Sequence, residues 1–244
     1  MNKINIILLF VILSLVIIVN IISKNESFTV RTKYPIIIQT WKDNNIPPKY
    51  KNLVNRVKYL NPNSQYIFFT DNDIEIFIKD KFPQYYKTYN NFDHKIQKID
   101  FFRYLAIYYY GGVYLDLDIA LNKSLEDIGK DNKCVFPLEF EKNGDEMLKK
   151  QNFRGLIGNY AFYAPKNHPF MKKIIDNVVK KRIKSKNKNY MKTIFYTTGP
   201  VMVTQSYVDF KNKDKVKILK PYPFRKSRFG DYGRHVLMGS WKKK

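Results

Sequence analysis

Residues 99–118 of this 244-residue chain read IDFFRYLAIYYYGGVYLDLD, the end of a long helical pattern followed by a short apolar run with two aspartates. Asp93 is expected to cap a helix over 94–110, because an Asp side chain accepts hydrogen bonds from the N–H groups of a first helical turn. Gly111-Gly112 is expected to end that helix. The stretch therefore predicts a helix, a glycine turn and a strand in direct succession.

An acidic pair lies at the end of the predicted strand. Residues 113–118 alternate Val, Leu and Leu with Tyr, Asp and Asp, so Tyr114, Asp116 and Asp118 are expected on one face. Neighbouring carboxylates repel each other unless a cation or a proton intervenes, and a hard divalent ion with oxygen ligands meets that need. The D-x-D spacing alone is weak evidence, because residues 71–73 (DND) share it and are interpreted as a helix cap.

A charged pair lies on the preceding helix. Asp100 and Arg103 are three residues apart and therefore share one helical face. An exposed ion pair would need no further explanation, but the residues around this one are almost all apolar. We therefore expect the pair to be half-buried and aimed at a ligand. The acidic pair should lie beyond a strand's carboxyl end, where open α/β sheets bind ligands.

Strand and helix patterns alternate along the rest of the chain, which predicts an α/β sheet with helices on both faces. The predicted strands cover 35–41, 65–70, 113–118, 134–139 and 156–164. The predicted helices cover 47–60, the segment after Thr70, 94–110, 168–181 and 199–210. The tail over 221–244 shows no clear period.

Composition supports one sizeable folded domain, since 44% of residues are hydrophobic and 16% are aromatic. The net charge of +23 could attract phosphate-rich partners. It arises from 36 lysines and only 8 arginines spread along the chain, so we expect no nucleic-acid binding. The single cysteine, Cys134, excludes an intrachain disulfide and is expected to be a buried structural thiol.

An apolar run of 19 residues over 4–22 is long enough to cross a bilayer and longer than the apolar core of a signal peptide. It predicts an uncleaved signal anchor, and hence a single-pass membrane protein. More basic residues follow the span than precede it, which favours a cytoplasmic body. The expected organisation is an anchor over 1–24, a stem over 25–34 and one domain over 35–244.

Residues 99–118 resemble the central signature of glycosyltransferase family 32. That family includes the yeast initiating mannosyltransferase and the inositol-phosphoceramide mannosyltransferases, and it is related to the glucosyltransferase domain of the clostridial toxins. Ile38 departs from the family, which often has His there. Four further blocks follow the family's order: PIIIQTW at 35–41, GNYA with AP and HP between 158 and 169, TTGP at 197–200, and H followed by GSW between 235 and 241.

The resemblance implies a GT-A-type fold with a mixed, mostly parallel sheet. It also implies a UDP- or GDP-hexose donor bound with Mn²⁺ or Mg²⁺. By this resemblance Asp118 is the main metal ligand, and Asp116 contacts the ribose or the donor sugar through hydrogen bonds or metal-bound water. His235 would complete the metal's ligand set or contact the diphosphate. The remaining donor contacts would come from Asp100 and Arg103 at the sugar and diphosphate, Trp41 at the base, Asn159 at the sugar, and Ser240 and Trp241 at the β-phosphate.

The resemblance further implies that a hexose of mannose, galactose or glucose type is transferred to a glycan, glycolipid or protein hydroxyl, with retention. The catalytic domain would face the lumen of an ER- or Golgi-type compartment, which conflicts with the charges after the span. Two other classes remain open. A glycoside hydrolase would hold two carboxyl groups about 5–9 Å apart across the scissile bond. A basic module would bind nucleic acid or a membrane surface without catalysis. A degenerate transferase that only binds is disfavoured, because the acidic pair, Asp100 with Arg103, and His235 are all present.

Overall fold

The computed structural model describes residues 34–139, 155–184, 189–220 and 228–236. The predicted anchor, nearly all of the predicted stem, Ser240 and Trp241 lie outside these ranges. Within the described ranges, every helix is too short or too polar to cross a membrane.

Ten strands form two sheets in the described residues. The strands are β1 (Ile37–Thr40), β2 (Tyr66–Phe69), β3 (Gly112–Leu115), β4 (Ile119–Leu121), β5 (Cys134–Glu139), β6 (Leu156–Ile157), β7 (Ala161–Ala164), β8 (Val216–Leu219), β9 (Arg228–Phe229) and β10 (Gly233–His235). The main sheet has the order β2–β1–β3–β7–β5–β6, with β8 also paired to β5. β1 is parallel to β2 and β3, whereas β7 is antiparallel to β3 and β5. The predicted mixed α/β sheet is confirmed.

Seven α-helices accompany the sheets in the described part of the chain. They are α1 (Pro48–Leu60), α2 (Asp71–Lys81), α3 (Pro83–Asn90), α4 (Lys95–Tyr110), α5 (Pro169–Lys184), α6 (Tyr190–Thr197) and α7 (Pro200–Val208), and a 3₁₀ turn covers Lys213–Lys215. Proline opens α1, α3 and α7, where its missing N–H would have no partner inside the helix.

The main sheet is covered on both faces, because alternate residues of each strand point in opposite directions. Ile38 and Tyr114 pack in a core that includes residues of α2, α3, α4, α5 and α7. Ile37 and Val113 pack in a second core with α1 and the small sheet β4–β10–β9. The second face is therefore covered partly by a helix and partly by a three-stranded sheet.

Several predicted boundaries were wrong. The strand expected over 156–164 is two strands, β6 and β7, with a break between them. The strand expected over 113–118 ends at Leu115. Asp93 does not cap α4: the cap is His94, whose backbone N–H donates to Gln97 Oε1 at 3.1 Å. The sequence patterns missed the short elements α3, α6, β4, β8, β9 and β10, which contain too few residues to display a period.

The turn between α4 and β3 requires glycine for two reasons: its backbone conformation and the lack of room for a side chain. Gly111 has φ +73° and Gly112 has φ +97°, a region that disfavours side chains. A Cβ atom on Gly112 would lie 2.2 Å from the carbonyl oxygen of Ile36. This close approach lets β3 pair with β1 directly after the long helix.

Cys134 is a buried thiol, as predicted, and it contacts a buried histidine. Its Sγ lies 2.9 Å from Nδ1 of His168, the residue before α5, and the Phe170 backbone N–H also donates to that nitrogen at 3.2 Å. Burial, together with the nearby charge of Lys215, lowers the pKa of His168 to about 4. The folded chain therefore holds this imidazole neutral.

We expect His168 to make the protein less stable in mild acid. The imidazole is protonated below about pH 6.5 in the unfolded chain, but only below about pH 4 in the folded chain. The stability that the neutral imidazole contributes is therefore lost as the pH falls from about 6.5 to about 4. From about pH 7.5 to about pH 5, the loss should be about 1–2 kcal/mol. His168→Asn keeps an acceptor for Phe170 but cannot titrate. The free energy of unfolding, measured in urea, should depend less on pH for this variant than for the wild type. An equal pH dependence of the two proteins would contradict this role of His168.

Candidate functional site

One cavity of about 740 Å³ contains the predicted site residues that the structure describes. It opens where β1 and β3 end, and α4, α6 and the start of α7 also line it. The predicted residues that line it are Trp41, Asp100, Arg103, Asp116, Asp118, Asn159 and His235. The two remaining predictions, Ser240 and Trp241, lie outside the described residues.

The acidic pair lies on a turn and not on a strand face, which corrects the sequence-based expectation. β3 ends one residue before Asp116, whose backbone N–H donates to the Tyr160 carbonyl oxygen at 2.7 Å. The Ile119 N–H then donates to the Asp116 carbonyl oxygen at 3.2 Å, closing a turn around Asp118. The turn still brings the two carboxylates together, since one oxygen of each and a ring nitrogen of His235 all lie within 4.8 Å of one another.

His235 reaches the acidic pair from the small sheet. β10 pairs with β4 directly after the acidic turn, and the Val236 N–H donates to the Asp118 carbonyl oxygen at 2.9 Å. His235 Nε2 lies 3.0 Å from Asp118 Oδ1, and the ring stacks on Tyr160 with centroids 4.4 Å apart. Burial lowers the pKa of His235, but the hydrogen bond with Asp118 and the charges of both aspartates outweigh it, so the net pKa is raised.

A buried charge network joins α4 to the acidic turn. Arg103 Nη2 lies 3.2 Å from Asp100 Oδ1 and 3.4 Å from Asp116 Oδ1, and both Asp100 and Arg103 are 3% exposed. Tyr114 OH donates to Asp116 Oδ1 at 2.8 Å, and the Arg103 guanidinium lies over the Tyr114 ring. The pair expected to be half-buried is therefore fully buried, and its arginine forms an ion pair with Asp116.

The carboxylate of Asp100 is held by neutral donors as well as by Arg103. Thr198 Oγ1 donates to Oδ2 at 2.9 Å, and Asn159 Nδ2 donates to Oδ1 at 3.1 Å. Arg103 Nη1 in turn donates to the Asn159 carbonyl oxygen at 2.7 Å. Burial raises the pKa of Asp100 to about 6 despite these contacts, so the group is mostly ionised at neutral pH.

Three cavity-lining residues carry a buried nitrogen without a hydrogen-bond partner in the described chain. These atoms are Trp41 Nε1, Arg103 Nε and His235 Nδ1. A buried polar atom left unpaired costs about 1–3 kcal/mol, so such atoms are uncommon and usually have a cause. Three of them around one cavity indicate that a polar ligand completes the site.

The sequence patterns did not identify three residues that shape the site. Tyr114 is on β3 as expected, but the strand pattern does not predict the hydrogen bond from its hydroxyl to Asp116. In the sequence, the one signal at Thr198 is its place in the TTGP block before a helix. Tyr160 had no signal beyond its place in GNYA, because its two roles, a carbonyl acceptor for Asp116 and a ring against His235, depend on the folded chain.

Comparison with known proteins agrees with this geometry. The family described as "Glycosyltransferase sugar-binding region containing DXD motif" matches residues 47–135. Inositol phosphoceramide mannosyltransferase 3 of Schizosaccharomyces pombe is 29% identical over 172 residues, covering 69% of this chain and 43% of that protein. The initiation-specific alpha-1,6-mannosyltransferase of Candida albicans is 22% identical over 214 residues, covering 72% and 52%. The chain thus spans about half the length of these curated relatives.

A solved structure named PaToxG Glycosyltransferase has a similar fold, with a TM-score of 0.50 and 17% sequence identity. The match covers 71% of this chain and 69% of that one, and at this identity it concerns the fold alone. The family resemblance predicted from the sequence is confirmed: residues 47–135 match the DXD-containing sugar-binding region of glycosyltransferases, and the chain is similar to yeast mannosyltransferases.

Proposed function

We propose that the chain is a metal-dependent glycosyltransferase that moves a hexose from a nucleoside diphosphate sugar to an acceptor hydroxyl. The observation that carries this proposal is one cavity that combines an acidic cluster, a buried arginine and three buried nitrogens without partners in the described chain. A polyanionic ligand with a metal ion would satisfy all of these groups. Because relatives are named mannosyltransferases, mannose is the first sugar to test.

The donor set fits a hard divalent cation. Asp118, Asp116 and His235 would hold Mn²⁺ or Mg²⁺, since carboxylate oxygens suit these ions and imidazole is tolerated by Mn²⁺. When bound, the ion would stabilise the charge that develops on the leaving diphosphate. Asp116 is held for this task by Arg103 and Tyr114, which leave its second oxygen for another contact.

The other cavity residues would bind the donor. Arg103 Nε and Asp100 would contact the donor sugar and diphosphate, Trp41 would pack on the base and donate from Nε1, and Asn159 would lie near the sugar. Ser240 and Trp241 would donate to the β-phosphate. Because the charged groups are already held by Thr198, Asn159 and Tyr114, they would need little reorganisation on binding.

In the proposed reaction, the acceptor oxygen bonds to the anomeric carbon as the bond from that carbon to the diphosphate oxygen breaks. The hydroxyl proton leaves with the diphosphate. We propose retention of configuration because the family that the sequence resembles retains it. Since no side chain stands out as a nucleophile among the described cavity residues, the proposed route to retention is front-face attack.

We propose the anchor over 1–24, the stem over 25–34 and the GT-A-type catalytic domain over 35–244 as the organisation of the protein. A glycan, glycolipid or protein in an ER- or Golgi-type membrane would be the acceptor. A protease-protection assay on microsomes carrying a C-terminally tagged chain tests the lumenal orientation, and a tag that is digested without detergent would contradict it.

The proposed function is tested by a donor screen with the full-length chain in a detergent without a sugar headgroup. Hydrolysis of UDP- and GDP-linked mannose, galactose and glucose is measured with Mn²⁺ and with EDTA. We expect one donor to be hydrolysed, EDTA to abolish this hydrolysis and Mn²⁺ to restore it. Silence across the panel would contradict the transferase. Metal-independent cleavage of a simple glycoside would instead favour a two-carboxylate hydrolase.

We expect Tyr160 to control metal affinity through His235. Tyr160→Leu keeps the carbonyl that binds Asp116 but removes the ring on which His235 stacks. Loss of a group that orients a metal ligand lowers affinity about 10–100-fold. Titration of free Mn²⁺ by electron paramagnetic resonance should show this loss. Tyr160→Phe, which keeps the ring, should bind Mn²⁺ like the wild type, and equal affinity of the Leu variant would contradict the role.

A further inference from the structure

Cavity-lining residues form a row along one edge of the main sheet, in the order of its strands. β1 and β3 are parallel, and β5 runs in the same direction because β7 is antiparallel to both β3 and β5. Trp41 follows β1, Asp116 follows β3, Tyr160 precedes β7 and Glu139 ends β5, and all four line the cavity. Neighbouring strands are about 4.8 Å apart, so the β1 end of this row is separated from the β5 end by about 14 Å.

Tyr160 carries a buried hydroxyl near the β5 end of the row. The residue is 5% exposed, and its hydroxyl has no hydrogen-bond partner within the described ranges. Burial raises the pKa of this hydroxyl, and the negative charge of the half-buried Glu139 raises it further, so the two groups lie near each other. A buried hydroxyl without a partner is costly unless a ligand supplies one. Tyr160 and Glu139 therefore offer a ligand one hydrogen-bond donor and one acceptor side by side.

This combination of donor and acceptor suits an alcohol hydroxyl. A sugar hydroxyl can accept a hydrogen bond from Tyr160 and donate one to Glu139 at the same time. An ionised diphosphate has no proton to donate, and the carboxylate of Glu139 would repel it. The chemistry of the β5 end therefore favours a neutral polyol over the anionic part of a nucleotide.

We propose that Tyr160 and Glu139 bind one hydroxyl of the donor's hexose and so determine which hexose the site accepts. This inference rests on the proposed function. A nucleoside diphosphate sugar has its base, diphosphate and hexose in linear order. The row has Trp41 at one end, the acidic cluster at the next strand and the Tyr160–Glu139 pair at the other end. With the base at Trp41 and the diphosphate at the acidic cluster, the hexose lies at the pair.

A fixed pair of this kind discriminates between sugars. Mannose, galactose and glucose differ in the direction of individual hydroxyls. A site that holds a hydroxyl by hydrogen bonds rejects a sugar that lacks it, because the groups of the site are then left without partners. Tyr160 is held in place by its ring stack on His235 and by the hydrogen bond from Asp116 to its carbonyl oxygen, so its hydroxyl has a defined position.

Binding titrations of nucleotide sugars test the pair without turnover. Saturation-transfer NMR on the full-length chain with Mg²⁺, in a detergent without a sugar headgroup, gives dissociation constants for GDP-mannose, UDP-galactose and UDP-glucose, and for GDP and UDP. The nucleotide sugar that binds the wild type most tightly should bind about three- to tenfold more weakly to Tyr160→Phe and to Glu139→Gln, because each substitution removes or weakens one hydrogen bond to the hexose. Affinity for the matching nucleoside diphosphate should change by less than about twofold, since the pair does not contact it.

Single-deoxy analogues of that nucleotide sugar identify the hydroxyl. One analogue should bind the wild type about three- to tenfold more weakly than the parent sugar, and this difference should disappear in Tyr160→Phe. Tyr232→Phe is the matched control, because it removes a hydroxyl that bonds to the Asp127 carboxylate outside the cavity lining. This variant should bind every probe as the wild type does.

Unchanged binding of the nucleotide sugars and their deoxy analogues by both variants would overturn the proposal. Losses for the nucleoside diphosphate as large as those for the nucleotide sugar would also overturn it, because the pair would then not act on the hexose. A lower rate of sugar transfer with unchanged donor binding would assign the pair to the acceptor and would overturn it too. Binding of a nucleotide sugar that depends on Tyr160 and Glu139, together with a silent donor screen, would contradict the transferase while supporting the hexose subsite.

Discussion

Asp118→Asn is expected to lower metal-dependent donor turnover by about 10²–10³-fold while the chain stays folded. The substitution removes a charge from the cluster that Asp118 forms with Asp116 and His235, whose ligand atoms lie within 4.8 Å of one another. Without that charge the cluster binds a divalent cation weakly, and less positive charge is available to the leaving diphosphate. Initial rates of donor hydrolysis at several Mn²⁺ concentrations measure the effect.

The chain offers a matched control in its second D-x-D sequence. Asp73 closes a capping box with Thr70 at the start of α2, and it is exposed. Asp73→Asn keeps an oxygen that can accept from the Thr70 N–H, so turnover should match the wild type and stability should fall by less than about 1 kcal/mol. Full turnover of Asp118→Asn, or an equal loss in both variants, would contradict a metal-centred role for Asp118.

Arg103→Leu is expected to lower the free energy of unfolding by about 3–5 kcal/mol, an effect larger than most single substitutions produce. Arg103 is almost fully buried, lies within 3.4 Å of both Asp100 and Asp116, and donates to the Asn159 carbonyl oxygen. Leucine fills much of the space but leaves a buried carboxylate without its counter-charge. Urea unfolding at neutral pH measures the loss.

Two further variants separate charge from packing. Arg103→Lys keeps the charge, but an ammonium group cannot contact all three oxygens as the planar guanidinium does. Its loss in free energy of unfolding should therefore be about half that of the leucine variant. Asp100→Asn combined with Arg103→Leu should be more stable than Arg103→Leu alone, because the buried negative charge is also removed. A double variant that is additive within about 0.5 kcal/mol would contradict the coupling of the pair.

The sequence predicted those parts of the fold whose physical cause is local. The helix over 94–110, the glycine turn and the following strand were anticipated because helix length, left-handed glycines and apolar alternation are properties of consecutive residues. The charge pair of Asp100 and Arg103 was found for the same reason, since the i,i+3 spacing fixes a shared face. The helix from Pro48 to Leu60 was likewise evident from its opening prolines.

The predictions failed where the cause lies in distant chain segments. Asp116 and Asp118 were expected on a strand face, yet the carbonyl of Tyr160 and the pairing of β10 with β4 bend the chain into a turn there. The short hairpin that carries His235 has too few residues to show alternation. Burial of the Asp100–Arg103 pair was underestimated, because Thr198 and Asn159 approach it from 98 and 59 residues away from Asp100.

By itself, the sequence determined that this chain folds as an α/β domain, that its acidic pair follows a long helix and a glycine turn, and which residue types could bind a metal and a phosphate. These follow from periodicity, glycine conformation and side-chain chemistry, which act over a few residues. Only the tertiary structure decided that the acidic turn, the buried arginine and His235 share one cavity. Asp118 and His235 are more than 100 residues apart in the sequence, and it is the packing of sheet and helices that brings them within hydrogen-bonding distance.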